Sequence, residues 1–176
     1  MRVRDHVLIS TTGAALTAPL LGRGALGLLA GGVLIDTDHY VWFCVRHRCL
    51  NPVAAVRFFN QADPPQHSAT RALHSPVVLL ALLLLRRRRL LPLVLGMGLH
   101  VALDLYHRAR MDQARSAALA RDGHSCQRCG TAMPPIGVHT ARQPWLLPSY
   151  GVQNLVSLCG RCHEASHSRT GSASWT

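Results

Sequence analysis

The chain has 176 residues, of which 48% are hydrophobic and only 15% charged, against about 25% charged in an average soluble domain. That balance excludes a disordered chain and points to an unusually apolar or membrane-associated one. All 19 basic residues are arginine, and the net charge of +11 suits a polyanionic partner, either nucleic acid or anionic lipid.

Apolar residues crowd the first 107 positions, whereas Cys126, Cys129, Cys159 and Cys162 all lie beyond them. The sequence therefore predicts two units. A mostly α, membrane-embedded four-helix unit covers 1–107 and a helical linker covers 108–121. A small α+β zinc-stabilised domain covers 122–168, and a Ser/Thr/Gly-rich flexible tail covers 169–176. No secretory signal is expected, because the apolar stretch after Met1-Arg-Val-Arg-Asp leads to no small-residue cleavage site.

Four apolar stretches open the chain: Val7–Leu21, Gly24–Ile35, Val77–Leu85 and Leu90–Leu105. Each is shorter than the ~20 residues of a spanning helix. Val77–Leu85 is nevertheless apolar on every face, as is most of Leu90–Val101, and a helix in a soluble bundle shows a polar face. These features predict four membrane-embedded helices rather than a soluble bundle with a greasy core.

Seven His and Asp residues lie in or beside these apolar stretches in a selective pattern: His6, Asp36, Asp38, His39, His74, His100 and Asp104. Such groups are costly among apolar helices and usually serve function. His6 is expected before the first helix, Asp36-Thr37-Asp38-His39 after the second, and Arg71-x-x-His74-Ser75 at the start of the third. His100-x-x-x-Asp104 falls in the last turns of the fourth and shares one helical face. In an up-down-up-down bundle these places share one end, so the set predicts a second metal site of mixed His and Asp ligands. The competing reading takes Asp36 and Asp38 as cap and turn residues and His74 as a helix start. In order and spacing these motifs resemble the membrane-bound metal-dependent hydrolase family called domain of unknown function 457. The resemblance implies a metal and a membrane but no defined substrate.

Beyond the linker, Cys126-x-x-Cys129 and Cys159-x-x-Cys162 form two knuckles, each aiming two thiolates at one point. Together they predict a closed, structural four-cysteine Zn²⁺ site. A thioredoxin-like redox pair fits less well, because no βαβ pattern surrounds them. Thiolate ligands also require a reducing compartment.

The residues around the knuckles run Arg121-Asp122-Gly123-x-x-Cys126-x-x-Cys129-Gly130, then Val138-His139, then Asn154-Leu155-Val156-x-Leu158-Cys159-x-x-Cys162-His163-x-x-x-His167. Over about residues 118–168 this resembles the zinc-knuckle form of the HNH endonuclease family, and implies its ββα-metal fold. His163 and His167, at i and i+4, share a helical face and can chelate one cation. The resemblance implies Mg²⁺, Mn²⁺ or Zn²⁺ there, His139 as the general base and Asn154 as the residue that ties down the His139 loop. The family carries two adjacent residues, a ligand followed by the base, where this chain has only His139 between Val138 and Thr140. Either the ligand or the base is therefore replaced; His139 is taken as the base, because several groups can substitute for a metal ligand. The family's Gly-rich loop is also replaced, by Gln143-Pro-Trp-Leu-Leu-Pro-Ser-Tyr-Gly151.

Arg128, Arg142 and Arg161 are the candidate phosphate contacts, so DNA and membrane lipid are the expected partners. No small organic cofactor is expected, and the sequence carries no signal for an oligomeric state. Arg2, Arg4, Arg46, Arg48, Arg57, Arg71, Arg108 and Arg110 lie on one side of the expected helices, and Arg23 with Arg86–Arg89 on the other. The positive-inside rule then puts the zinc domain on the cytoplasmic side of a multi-pass inner-membrane protein.

Overall fold

A computed structural model describes residues 2–60, 71–85, 87–142 and 147–168, with the side chains of 167 and 168 excepted. Arg86, the 143–146 part of the replaced loop, the side chain of His167 and the tail 169–176 lie outside the described residues. The chain is mostly helical, with one two-stranded sheet and a cluster of four cysteines. It divides into two units, Met1–Tyr106 and His107–Thr176.

In the first unit α1 spans Val3–Leu21, α2 Gly24–Leu34, α3 Thr37–His47, α4 Pro52–Phe59 and α5 Pro76–Leu84; α6, Leu91–Arg121, begins here and ends in the second unit. Among the described residues, six α-helices thus stand where four are expected. The extra two arise because the chain turns at Ile35–Asp36, and because Asn51 caps α4: its side-chain oxygen accepts from the backbone N–H groups of Val53 and Ala54, with Pro52 following. Pro at the first helical position has no N–H to leave unpaired there. Phe43, Ala55 and Phe58 form the small core that joins α3 to α4.

Helices α1 and α2 form a hairpin through Gly22, whose φ of 52° suits glycine. Ala14, Ala25 and Leu28 pack between them. Helix α6 crosses α2 at backbone contact. A Cβ on Gly31 would meet the Leu93 carbonyl oxygen at 2.0 Å, and one on Gly96 would meet that of Leu28 at 2.1 Å. Gly24 and Gly27 continue the same face of α2 against Pro92. Small residues three and four apart permit such close approach.

Among the described residues, two helical spans are long and apolar enough to cross a membrane: Gly24–His47, of 24 residues, which comprises α2 and α3, and Arg88–Arg121, of 34.

In the second unit α6 does not end as a linker. Its Ala114 and Ala118 are buried against Leu155, with Met111, Val138 and Val152 around them. Strands β1, Ile136–Thr140, and β2, Leu155–Cys159, pair antiparallel with Val138 opposite Ser157 and His139 opposite Val156. Helix α7, Gly160–Ser168, follows β2 directly. Arg121, the last residue of α6, donates to the carbonyls of Val152 and Leu155 and to Asp122. Asp122 in turn accepts the Ser157 N–H at 3.0 Å. This clamp fastens the helix end to β2.

Candidate metal centres

The four cysteine sulfurs converge as the two knuckles predict. All lie within 4.8 Å of one another, and Cys129 Sγ is 3.7 Å from Cys159 Sγ. Two sulfurs bound tetrahedrally at ~2.3 Å to one zinc ion stand about 3.8 Å apart, so the spacing fits the ion. The first knuckle is built by Cys126 N–H donating to the Thr131 carbonyl, Gly130 N–H donating to that of Cys126, and Gly130 at φ 75°. Backbone N–H groups of Cys159, Arg128 and Cys129 lower the Cys126 thiol to about 6, which favours a thiolate. Burial and the neighbouring sulfurs of Cys159, Cys126 and Cys129 push Cys162 up to about 12. A dication among them removes that mutual repulsion, and the donor set suits Zn²⁺.

Beside the knuckles, the His139 ring on β1 stands 5.1 Å from the His163 ring on α7, edge to face. Asn154 holds the chain beyond β1 at both ends of its amide: Oδ1 accepts the Arg142 N–H at 2.9 Å and Nδ2 donates to the Arg142 carbonyl at 2.8 Å. The Ala141 N–H also reaches the Asn154 carbonyl, at 2.8 Å. Alternation along β1 turns Thr140 to the Val138 side, towards the Ala118–Leu155 core, and away from His139. Arg128, Arg142 and Arg161 are exposed. The Asp122 carboxyl is held well below the usual carboxylate range, mainly by Arg121 and then by Ser157.

In the first unit all seven His and Asp residues are brought together, although the elements carrying them differ from expectation. His6 sits inside the first turns of α1 rather than before it, and His100 and Asp104 lie mid-way along α6 rather than near its end. Asp36 precedes α3, Asp38 and His39 are in its first turn, and His74 lies just before α5.

Asp36 is central. Its Oδ1 is 3.4 Å from His74 Nε2, 3.4 Å from His100 Nε2 and 3.5 Å from His39 Nδ1. His74 Nε2 and His100 Nε2 are 3.3 Å apart. Asp38 accepts from the His39 and Leu73 N–H groups at 2.8 and 3.0 Å, meets His39 Nδ1 at 2.8 Å, and lies 3.5 Å from His74 Nδ1. His6 stacks on His100 with centroids 3.8 Å apart, and its Nε2 is 3.0 Å from Asp104 Oδ1.

The supporting backbone groups escaped the sequence reading. The Gly32 carbonyl, 2.8 Å from His100 Nδ1, is brought there by the α2–α6 crossing. The spacing of Gly24, Gly27 and Gly31 was the available signal for that crossing. Compared with protein-family models, curated proteins and solved structures, the chain gives no match.

Proposed function

We propose that the second unit is a metal-dependent phosphodiesterase of the HNH endonuclease type that acts on DNA, and that the first unit anchors it in the inner membrane. The observation that carries this reading is the joint arrangement of the cysteine cluster, the His139–His163 pair and the Asn154 clamp. The four cysteines stand where a structural zinc ion would fasten β2 and α7 to the first knuckle, and the clamp sets the loop beyond His139. His163 and His167 would hold a divalent ion, which would supply positive charge for the phosphate and the leaving oxygen. His139 takes the proton of the attacking water as its oxygen bonds to phosphorus and the sugar oxygen departs. Arg128, Arg142 and Arg161 neutralise the DNA backbone.

Two observations support the membrane reading. Helical spans of sufficient length and apolarity are present. Large side chains such as Leu20, at 87% exposure, Leu16 at 75% and Val77 at 71% also face outward in numbers beyond an ordinary soluble surface. Multi-pass insertion with the cysteine unit facing the cytoplasm keeps its thiolates reduced. The full chain is expected to pellet with membranes and to require detergent; recovery as a soluble monomer overturns the anchor.

A second reading is that the unit holds DNA without cutting it. Thr140 favours it, because the residue after His139 carries no imidazole and turns to the opposite face of β1. Plasmid nicking by the purified full chain in Mg²⁺ or Mn²⁺ separates the two. His139→Ala is expected to lower nicking by about 10²–10⁴-fold with DNA affinity nearly unchanged. Equal nicking by wild type and variant, or none by wild type, leaves DNA binding as the function.

A further inference from the structure

Among the described residues of the first unit, seven His and Asp side chains offer three overlapping sets of three potential ligands: His6, His100 and Asp104; Asp36, His74 and His100; and Asp38, His39 and His74. They are not equivalent, and distances separate them. Two ligand atoms bound tetrahedrally to one zinc ion at 2.0–2.1 Å stand about 3.3–3.4 Å apart. In the Asp36–His74–His100 set the three edges are 3.4, 3.4 and 3.3 Å. That triangle is the face of one coordination tetrahedron. In the other two sets the spacing is uneven. Asp38 Oδ1 stands 2.8 Å from His39 Nδ1 but Oδ2 stands 3.5 Å from His74 Nδ1. Asp104 reaches His6 at 3.0 Å with one oxygen and His100 at only 3.8 Å with the other.

Hydrogen bonding points the same way. A carbonyl only accepts, so the 2.8 Å contact with the Gly32 carbonyl puts the His100 proton on Nδ1. That leaves Nε2 as the nitrogen that faces the Asp36 carboxylate and His74 Nε2. A carboxylate oxygen and two imidazole nitrogens thus converge from three elements, a donor set that suits a divalent cation. His100 is fully buried, whereas the side chains of Asp36 and Asp104 are 24% and 33% exposed, so solvent reaches the triangle from the carboxylate side. Asp38, already engaged by two backbone N–H groups, stands behind His74 as the carboxylate that orients it.

We infer that Asp36 Oδ1, His74 Nε2 and His100 Nε2 bind a single divalent ion of the zinc class, leaving a fourth, solvent-facing position beside the His6–Asp104 pair. Asp38 and His39 position the ligands, and His6 and Asp104 are not ligands. Two His and one carboxylate with an open position is the composition of a hydrolytic rather than a structural zinc site. This inference goes beyond the nuclease reading and stands apart from it.

The test is metal binding by the full chain in detergent, with Zn²⁺ itself as the probe. After reloading and removal of free ion, an organomercurial thiol reagent displaces cysteine-bound zinc and leaves the ion in the first unit. In a His163→Ala background, which removes the divalent-ion site proposed for the second unit, one mercurial-resistant Zn²⁺ per chain is expected. His100→Ala and Asp36→Ala should each abolish it, with helical circular dichroism retained in at least one of them. Asp38→Asn should keep the stoichiometry and weaken affinity by about 10–100-fold, as loss of a ligand's supporting partner does. Asp104→Asn should change neither. No mercurial-resistant zinc in wild type overturns the inference. So do two resistant ions per chain in the His163→Ala background, or loss of the ion in Asp104→Asn. Should both ligand variants unfold, the contrast between Asp38→Asn and Asp104→Asn decides: equal affinity in the two refutes the assignment. Nicking activity plays no part in these readouts, so failure here and failure of the nuclease proposal are separable.

Discussion

Replacing Gly96 with alanine tests whether the α2–α6 crossing sets the geometry of the first unit. The new Cβ would stand 2.1 Å from the Leu28 carbonyl oxygen and 2.9 Å from Gly32 N. Ordinary carbon–oxygen contacts begin near 3.3 Å, so the helices must separate locally by about 1 Å. Both obstacles are backbone and cannot rotate aside. Overpacking of this kind costs about 1–3 kcal/mol, and the rigid obstacles argue for the upper end. Alanine in place of glycine returns about 1 kcal/mol of helix propensity, leaving a net loss of about 2 kcal/mol. Gly98, two residues along the same helix, has nothing within 4 Å of its virtual Cβ. Gly98→Ala therefore keeps only the favourable ~1 kcal/mol. The assay is thermal or SDS-driven unfolding in detergent, followed by helical circular dichroism. Gly96→Ala should unfold well before wild type, and Gly98→Ala at or slightly after it. If the two alanine variants unfold together, the backbone contact is not what holds these helices.

Two further outcomes follow for the second unit. Cys159→Ser should release the ion of the cysteine cluster and, because metal binding here is folding free energy, abolish the cooperative unfolding of about residues 118–168; retained zinc with a cooperative transition contradicts a structural site. Asp122 has its carboxyl depressed by Arg121 and Ser157, so its contribution is present above the unfolded-state value of about 3.9 and is lost as pH falls from there through the folded value. Asp122→Asn should therefore lower the unit's stability at neutral pH and flatten its decline below about pH 4, measured as denaturant midpoints across pH; parallel profiles for the two proteins would show that the clamp does not act through charge.

Sequence patterns announced the parts of this molecule whose chemistry is local. Cys126-x-x-Cys129 and Cys159-x-x-Cys162 each encode a knuckle within four residues, and the Gln127 N–H bond to the Ser157 carbonyl lays the first beside β2. The His and Asp residues of the first unit were conspicuous because ionisable groups are rare among apolar helices. Their supporting elements were harder to read. Asp36 was expected just after the second helix and stands there, but a further helix, Thr37–His47, begins at once, and its mixed sequence lies outside the four apolar stretches. Helix α4 was overlooked because Asn51-Pro52 looks like a loop dipeptide until the Asn51 cap is seen. The 108–121 segment looked like a linker because its buried face consists of the small residues Ala114 and Ala118, which give little hydrophobic signal and find their partner, Leu155, far along the chain.

The same small-residue logic links packing to chemistry in the first unit. Large apolar side chains would hold α2 and α6 apart, and the Gly32 carbonyl would then lie out of reach of His100. Glycine at positions 31 and 96 lets the backbones touch, and the contact fixes which nitrogen of His100 carries its proton. That choice leaves Nε2 to meet Asp36 and His74. The residues that make the chemistry possible are thus partly residues without side chains. A pattern search for ligands alone passes over them, because their contribution is a distance between two backbones.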